Sequence, residues 1–366
     1  IKKKHKTTFN GEDFMNVVSN PSFKFHGATG KVMLDKNGDR IQEGIAMDIW
    51  SLRSINSDNN NRYLVGNLDV SGAQQTFKFC TFSGTVKLHG NGNLCMPKFI
   101  FNTKTGIRPD PKDRTILKIN LAIITSTFRA NIPYALDVTG NQRTLAMLVA
   151  IEEINNKSNP FRQKYFNSTP PIIYKWKNSR RSSSHAAVAG SAFLGSTFIG
   201  EGTDAVIGAL SSGPTMALQT IMKFNNVLQI SPSATSPALA DKITYPSFAR
   251  TVPSDLIMSR MLVIFLKSVL KWSEVGIISS NTPYSYGGMK AIVSAAKEFQ
   301  VAITINAVVE SGEENMMFQK SVDALQGGNR VFIVFVHTSD ILMICRSMEL
   351  AAEFLSIDIS TIVLIF

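Results

Sequence analysis

Cysteine is scarce: three in 366 residues, at positions 80, 95 and 345. Zinc sites of the usual kind need closely paired cysteines, so this spacing excludes one. Cys80 and Cys95 lie near enough to pair across a short loop in an oxidising compartment, and Cys345 reads as a buried thiol in a helix-like segment. Histidine is scarce too. His5, His26, His89, His185 and His337 make no i,i+4 pair and have no recognisable nucleophile to serve. No Walker A sequence and no Gly-x-Ser-x-Gly elbow occurs. Gly200-Glu-Gly-Thr-Asp-Ala fits the dinucleotide fingerprint with alanine last, but it precedes a strand instead of following one. Asp35, Asn37 and Asp39 begin like a calcium loop, yet the glycine is misplaced and no glutamate falls at the twelfth position. The expectation is therefore no catalytic residue, no metal, no cofactor and no enzyme.

Long apolar runs are missing as well. None reaches ~18 residues, so no transmembrane helix is expected; the nearest candidate, 256–270, carries Arg260 and Lys267. The start, Ile-Lys-Lys-Lys-His-Lys, has basic residues but no apolar core behind it, so it is no signal peptide. It lacks an initiating methionine, and the strand-like run 361–366 ends the chain, which reads as a piece of something longer. Acid is short against base, 27 to 38, for a net charge of +11. Lys2, Lys3, Lys4 and Lys6 supply part of that in one run, but no helix shows a continuous basic face and no nucleic-acid module appears. Solvated lysines, not nucleic acid, explain the charge.

What is present is a globular composition, 44% hydrophobic and 18% charged, in a length that suits two domains. Residues 1–70 read as β-rich with some helix, including a turn at Asn37-Gly38; 71–115 read as a linker. From 116 onward strands and helices alternate. Strands are expected at 116–124, 172–176, 204–209, 227–231, 275–279, 302–309, 331–336 and 361–365. Helices are expected at 141–155, 183–198, 215–224, 256–271, 287–299, 315–325 and 341–355. Such alternation implies α/β architecture with parallel sheets and helices on both faces.

The stretch 204–255 organises the rest. An apolar run ends at Ser211-Ser212-Gly213, and Pro214 suits the first position of a helix. A second apolar run ends in the hydroxyl-rich loop 231–237, which holds Ser233 and Thr235. Open parallel sheets bind ligands beyond the carboxyl ends of their strands, and a helix start offers amides to an anion. Two readings stand side by side. The hydroxyls hold a small polar or anionic ligand, or they cap helices and close turns.

Ile230-Ser-Pro-Ser-Ala-Thr-Ser-Pro-Ala-Leu-Ala-Asp, then Phe248-Ala-Arg-Thr-Val-Pro-Ser-Asp, then Trp272 before the next strand, resembles the Venus-flytrap ligand-binding region of cell-surface receptors. Gln142-Arg143, Ala146-Met147 and Ala150-Ile-Glu-Glu-Ile-Asn resemble that family's first helix. The group includes class C G-protein-coupled receptors, natriuretic-peptide-type receptors and ionotropic glutamate receptors, with the two-lobed fold of type I periplasmic binding proteins. The resemblance covers 116–366 and implies a first lobe over about 116–250 and a second over about 251–366, joined by a crossing at 249–255. Phe25-His-Gly with Gly30, then Asp35-Lys-Asn-Gly-Asp-Arg, resembles the last hairpin of such a module, so 1–70 reads as the tail of an earlier copy.

By spacing, the site residues resemble those of metabotropic glutamate-type receptors. The resemblance implies that Ser212 and Thr235 hold the α-carboxylate of an amino acid, with Ser211 beside them and the Ser233 main chain touching the ligand. Asp255 would meet the amino group, and Tyr284 would pack on the ligand, with Tyr286-Gly287 as a rival alignment. Arg143 would reach an acidic side chain. Gly213 and Pro214 depart from the serine-rich continuation expected there. The implied function is extracellular sensing of an amino-acid-like ligand by a membrane signalling receptor, through lobe closure in a homo- or heterodimer. Membrane attachment would lie outside this chain. The alternatives are a soluble solute-binding protein for transport and a dimer-partner module that binds nothing. In a secreted chain Asn156 and Asn167 would be N-glycosylation acceptors.

Overall fold

A computed structural model describes residues 11–27, 30–41, 46–52, 62–69, 76–79, 119–128, 136–166, 170–195 and 203–366. The chain divides into two compact units. One comprises 1–25, 32–41 and 119–366; the other comprises 26–31 and 42–118. The unit boundary therefore runs through the stretch 1–70, and two of that stretch's segments belong with 119–366.

Helix α1 (Gly11–Val18) is followed by the short strands β1 (Lys24–Gly27) and β2 (Gly30–Met33). The smaller unit has an antiparallel ladder of β3 (Ala46–Leu52), β4 (Arg62–Asp69) and β5 (Thr76–Phe79), with a bulge between Ile49 and Trp50. Strand β5 lies inside the stretch expected to be a linker: Thr76, Phe77 and Phe79 are β formers whose pairing with β4 decides the matter. Cys80, Cys95 and the Asn167 acceptor lie outside the described residues.

From residue 119 the larger unit carries β6 (Ile119–Thr125), α2 (Val138–Asn155), α3 (Pro160–Tyr165), β7 (Ile172–Asn178), α4 (Ser183–Gly195), β8 (Ala205–Gly208), α5 (Ser212–Met222), β9 (Leu228–Ser231) and β10 (Phe248–Arg250). Among the described residues these strands form one parallel sheet, in the order β10-β9-β8-β6-β7. Strand β6 is buried on both faces, which is why its sequence is an apolar run without alternation. On one face Ala122, Ile124 and Val206 meet Phe193 of α4 and Leu218 and Met222 of α5. On the other, Leu121 and Ile123 meet Ile151 of α2. Met15, Val18, Val32 and Leu34, far earlier in the chain, cover Leu228 and Ala249 at the sheet's edge.

After Arg250 the chain crosses to a second lobe: α6 (Asp255–Ile264), β11 (Glu274–Ser280), α7 (Pro283–Glu298), β12 (Ala302–Val309), α8 (Glu314–Gln326), β13 (Val331–Phe335), α9 (Ile341–Phe354) and β14 (Val363–Ile365). Its sheet, β12-β11-β13-β14, is again parallel. Val275, Ile277 and Ile333 face α6 and α7; Ile278, Phe332 and Val334 face α8 and α9. The fold is α/β with helices on both faces of each sheet.

Several element ends differ from the sequence expectation, each for a local reason. Helix α2 starts at Val138 because the Asp137 carboxylate accepts the Gly140 amide as a cap. Helix α7 starts at Pro283, with Thr282 as cap, since proline fits the first turn. Helix α5 starts two residues before Pro214, which still sits in the first turn where no N–H is needed. Cys345 is half-buried on α9 instead of fully buried.

Candidate functional site

Parallel strands put all their carboxyl ends on one side of each sheet. Between the two lobes those ends enclose a cleft of about 460 Å³. The first lobe lines it with Arg180, Arg181, Ser182 and Ser183 after β7, and with Ser211, Ser212, Gly213 and Pro214 after β8. The second lobe contributes Thr282, Pro283 and Tyr284 after β11, Ser311 after β12, and His337 and Ser339 after β13. The lobes touch beside it: Ser236 Oγ donates to the Pro283 carbonyl at 3.4 Å. A Cβ on Gly213 would stand 3.3 Å from Ser183 Oγ and 3.4 Å from Pro283 Cγ, so glycine allows this approach.

At the start of α5, Ser211 is the N-cap, but its hydroxyl makes no capping bond. Ser212 is buried, and its hydroxyl accepts the Ser236 amide at 3.2 Å, which leaves its own proton to donate. The first-turn amides of Ser212 and Gly213 add donors, and the helix dipole favours an anion there.

Asp255, the first residue of α6, is 6% exposed. Its amide donates to the Thr235 carbonyl at 2.9 Å, and the Thr235 hydroxyl bonds to its carboxylate. Its Oδ2 has no hydrogen-bond partner among the described residues. Burial pushes this carboxyl up, against the Thr235 bond and the charge of Arg250. The Tyr284 phenol is pushed up to about 12, by burial and then by the Asp255 charge. Its ring lies 5.0 Å from that of Phe335. Thr235, Asp255 and Tyr284 thus form one cluster drawn from both lobes.

Arg143 and Ser233 form another. Arg143 Nη1 donates to Ser233 Oγ at 3.1 Å, and Ser233 Oγ donates to the Leu210 carbonyl at 2.6 Å. Burial and the charge of Arg181 weaken the hold of Arg143 on its proton, while Asp137 strengthens it. Neither Arg143 nor Ser233 lines the cleft; Arg181 does. Its Nε and Nη2 grip the two Asp137 oxygens at 2.5 and 2.8 Å. Burial pushes the Asp137 carboxyl up, but the bonds from Arg181 and the Gly140 amide outweigh it and hold it below its ordinary range.

Of the residues singled out in the sequence, Ser211, Ser212 and Tyr284 line the cleft; Thr235 and Asp255 do not line it but bond to each other, with the Asp255 charge acting on the Tyr284 phenol, and Arg143 sits on Ser233. Sequence reasoning missed Arg180, Arg181 and Asp137, and it set His337 aside with the other histidines for want of a nucleophile. A signal existed for the arginines: Arg180-Arg181-Ser-Ser-Ser follows a strand and opens a helix, as the loop after β8 does. No group of three or more potential metal ligands occurs among the described residues. Asn156 is exposed at the end of α2, where its Oδ1 accepts from the Ser158 amide and hydroxyl.

Residues 142–352 match the family described as the receptor family ligand binding region. The chain is 28% identical over 236 residues to a metabotropic glutamate receptor of Drosophila melanogaster, a match covering 58% of this chain and 24% of that receptor. It is 26% identical over 233 residues to a probable metabotropic glutamate receptor of Caenorhabditis elegans, covering 57% of this chain and 23% of the relative. It is also 25% identical over 140 residues to the extracellular calcium-sensing receptor of Mus musculus, covering 38% of this chain and 13% of that protein. The chain thus spans a quarter or less of these relatives.

Proposed function

The chain belongs to the family of receptor ligand-binding regions, and on that premise we propose that its two lobes close on an α-amino acid or a close relative bearing both carboxylate and amine. The observation that carries this is Asp255: a buried carboxyl with an unpartnered oxygen, bonded by Thr235 and close enough to Tyr284 for its charge to act on the phenol. Leaving such a group unpaired is costly, and an ammonium would satisfy it. The start of α5 supplies the opposite chemistry, with donors from Ser211, Ser212 and the first-turn amides for a carboxylate. A ligand spanning both loci touches both lobes only when they are together, so it shifts an open–closed equilibrium. The setting is the extracellular face of a membrane signalling receptor, acting as a dimer, with the effector outside this chain. No helix among the described residues is long and apolar enough to cross a membrane.

Calorimetry on the purified chain with a panel of amino acids, di-acids and amines tests the reading. Each charge-assisted bond contributes ~1.5–3 kcal/mol, so Thr235→Ala weakens binding about tenfold and Asp255→Ala at least as much. Unchanged affinity in Asp255→Ala would overturn the assignment. A second reading, a dimer-partner module without ligand, draws on the bonds already made by the Ser212 and Ser233 hydroxyls. A panel with no heat of binding at millimolar concentration selects it.

A further inference from the structure

Arg250 ends β10 immediately before the crossing between lobes, and its side chain is 0% exposed. A buried guanidinium needs every donor matched. Nε and Nη2 donate to the two oxygens of Asp39 at 2.8 and 3.0 Å. Nη1 donates to the carbonyls of Ala234 and Ser236 at 3.1 and 2.9 Å. Those carbonyls flank Thr235, whose own carbonyl and hydroxyl engage Asp255. One side chain therefore ties the loop 231–237 to a carboxylate that lies 211 residues away in sequence.

Asp39 is itself fixed. Asp35 Oδ1 accepts the amides of Asn37 and Asp39 at 2.8 and 3.0 Å, closing a tight turn. At its tip Gly38 has φ +68°, and its carbonyl accepts the Arg250 amide at 2.9 Å. A side chain at Gly38 would meet the Phe248 carbonyl at 2.6 Å, so only glycine lets the turn come this close. Val32 and Leu34 seat the segment against Leu228 and Ala249.

A buried ion pair is a poor source of net stability. Well-packed apolar residues in its place usually serve the fold as well, whereas removing one partner alone is costly. The geometry explains what apolar residues would lack, namely directional bonds to two loop carbonyls. We propose that Asp39 and Arg250 are positioning residues for the ligand loop: Asp39 orients the guanidinium, and the guanidinium fixes the Ala234 and Ser236 carbonyls so that Thr235 stays aligned with Asp255. The part of this that concerns ligand affinity rests on the amino-acid reading above; the part that concerns loop order does not.

The test is the double variant Asp39→Leu/Arg250→Met of the whole chain, with hydrogen–deuterium exchange and calorimetry side by side. The double variant melts within a few degrees of the wild type. Its amides at 231–237 exchange about tenfold faster, while those of β11 in the second lobe are unchanged. Affinity for the amino acid that the wild type binds falls about tenfold. If no amino acid binds the wild type but loop exchange still rises, the ligand reading fails and the positioning role stands. If loop exchange or affinity stays at the wild-type level, the positioning role is overturned. Should the double variant fail to fold, Asp39→Asn decides. Faster exchange confined to 231–237 and the crossing supports the role, and an equal rise in β6 and β8 shows a merely structural pair and overturns it.

Discussion

Arg181 Nη1 in the first lobe lies 3.5 Å from His337 Nε2 in the second, both of them lining the cleft. Behind the guanidinium stands Asp137, and His337 Nδ1 is 2.9 Å from Ser339 Oγ. The arginine thus presents charge to the opposite lobe at a point where one residue from each side meets. Replacing the imidazole with a fixed charge should bias that contact. His337→Glu favours the closed arrangement and His337→Lys opposes it, as charges ~4 Å apart near a surface interact by a few kcal/mol at most. Small-angle scattering of the two variants checks this: the lysine variant has the larger radius of gyration. Identical profiles would remove His337 from any role in closure.

On the proposed reading, an amine binds at Asp255, and its raised carboxyl should make that binding pH-dependent. Its native form holds a proton more tightly than the unfolded chain does, so its contribution to stability is present below the ordinary carboxylate range. That contribution is lost as pH rises through the native value. Asp255→Asn should therefore raise the melting temperature at pH 7 and have less effect near pH 4. An ammonium ligand favours the charged carboxylate and expels the proton. Calorimetry in two buffers of different ionisation heat should show proton release at mildly acidic pH, and none in the asparagine variant.

Lys242 gives the fold a second, opposite pH signature. Its Nζ donates to the Phe248 carbonyl at 2.6 Å. Burial pushes its ammonium down to about 8, against the charges of Asp39, Asp35 and Asp241 and with that of Arg250. The unfolded chain then binds the proton more tightly, so stability gained above the ordinary lysine value is lost as pH falls through about 8. Denaturant unfolding of the wild type should show Lys242 contributing on the order of 2 kcal/mol more at pH 10.5 than at pH 7.5. Lys242→Met should lack that difference relative to the wild type.

Gly288 supports Tyr284 from below. A Cβ there would stand 2.0 Å from Phe335 Cε1, and the Phe335 ring packs on Tyr284. Gly288→Ala must displace that ring, so it costs ~1–3 kcal/mol of stability and shifts the Tyr284 environment. Urea unfolding measures the first, and near-ultraviolet circular dichroism the second. A variant as stable as the wild type would show that Phe335 has room to move.

The larger part of the fold was legible because its strands and helices carry local signals. Strand β12 was read to the residue, since apolar positions and flanking turns frame it. The parallel pairing of β8 with β9 followed from their alternation with α5. Element starts set by a single cap, as at Asp137 and Thr282, were read late because the capping residue lies outside the apolar period.

The sequence by itself determined the α/β class, the two parallel sheets, and the hydroxyl-rich loops at the ends of β8 and β9. Those depend on neighbours in the chain: periodicity, proline and glycine positions, and short apolar runs. Only the tertiary structure decided which charged groups meet. Arg181 reaches the cleft while Arg143 turns to Ser233, and His337 arrives from the opposite lobe. Asp39 completes Arg250 across 211 residues. No local pattern encodes such pairs, because a buried charge selects its partner by geometry in the packed state, where desolvation penalises every arrangement that leaves it unmatched.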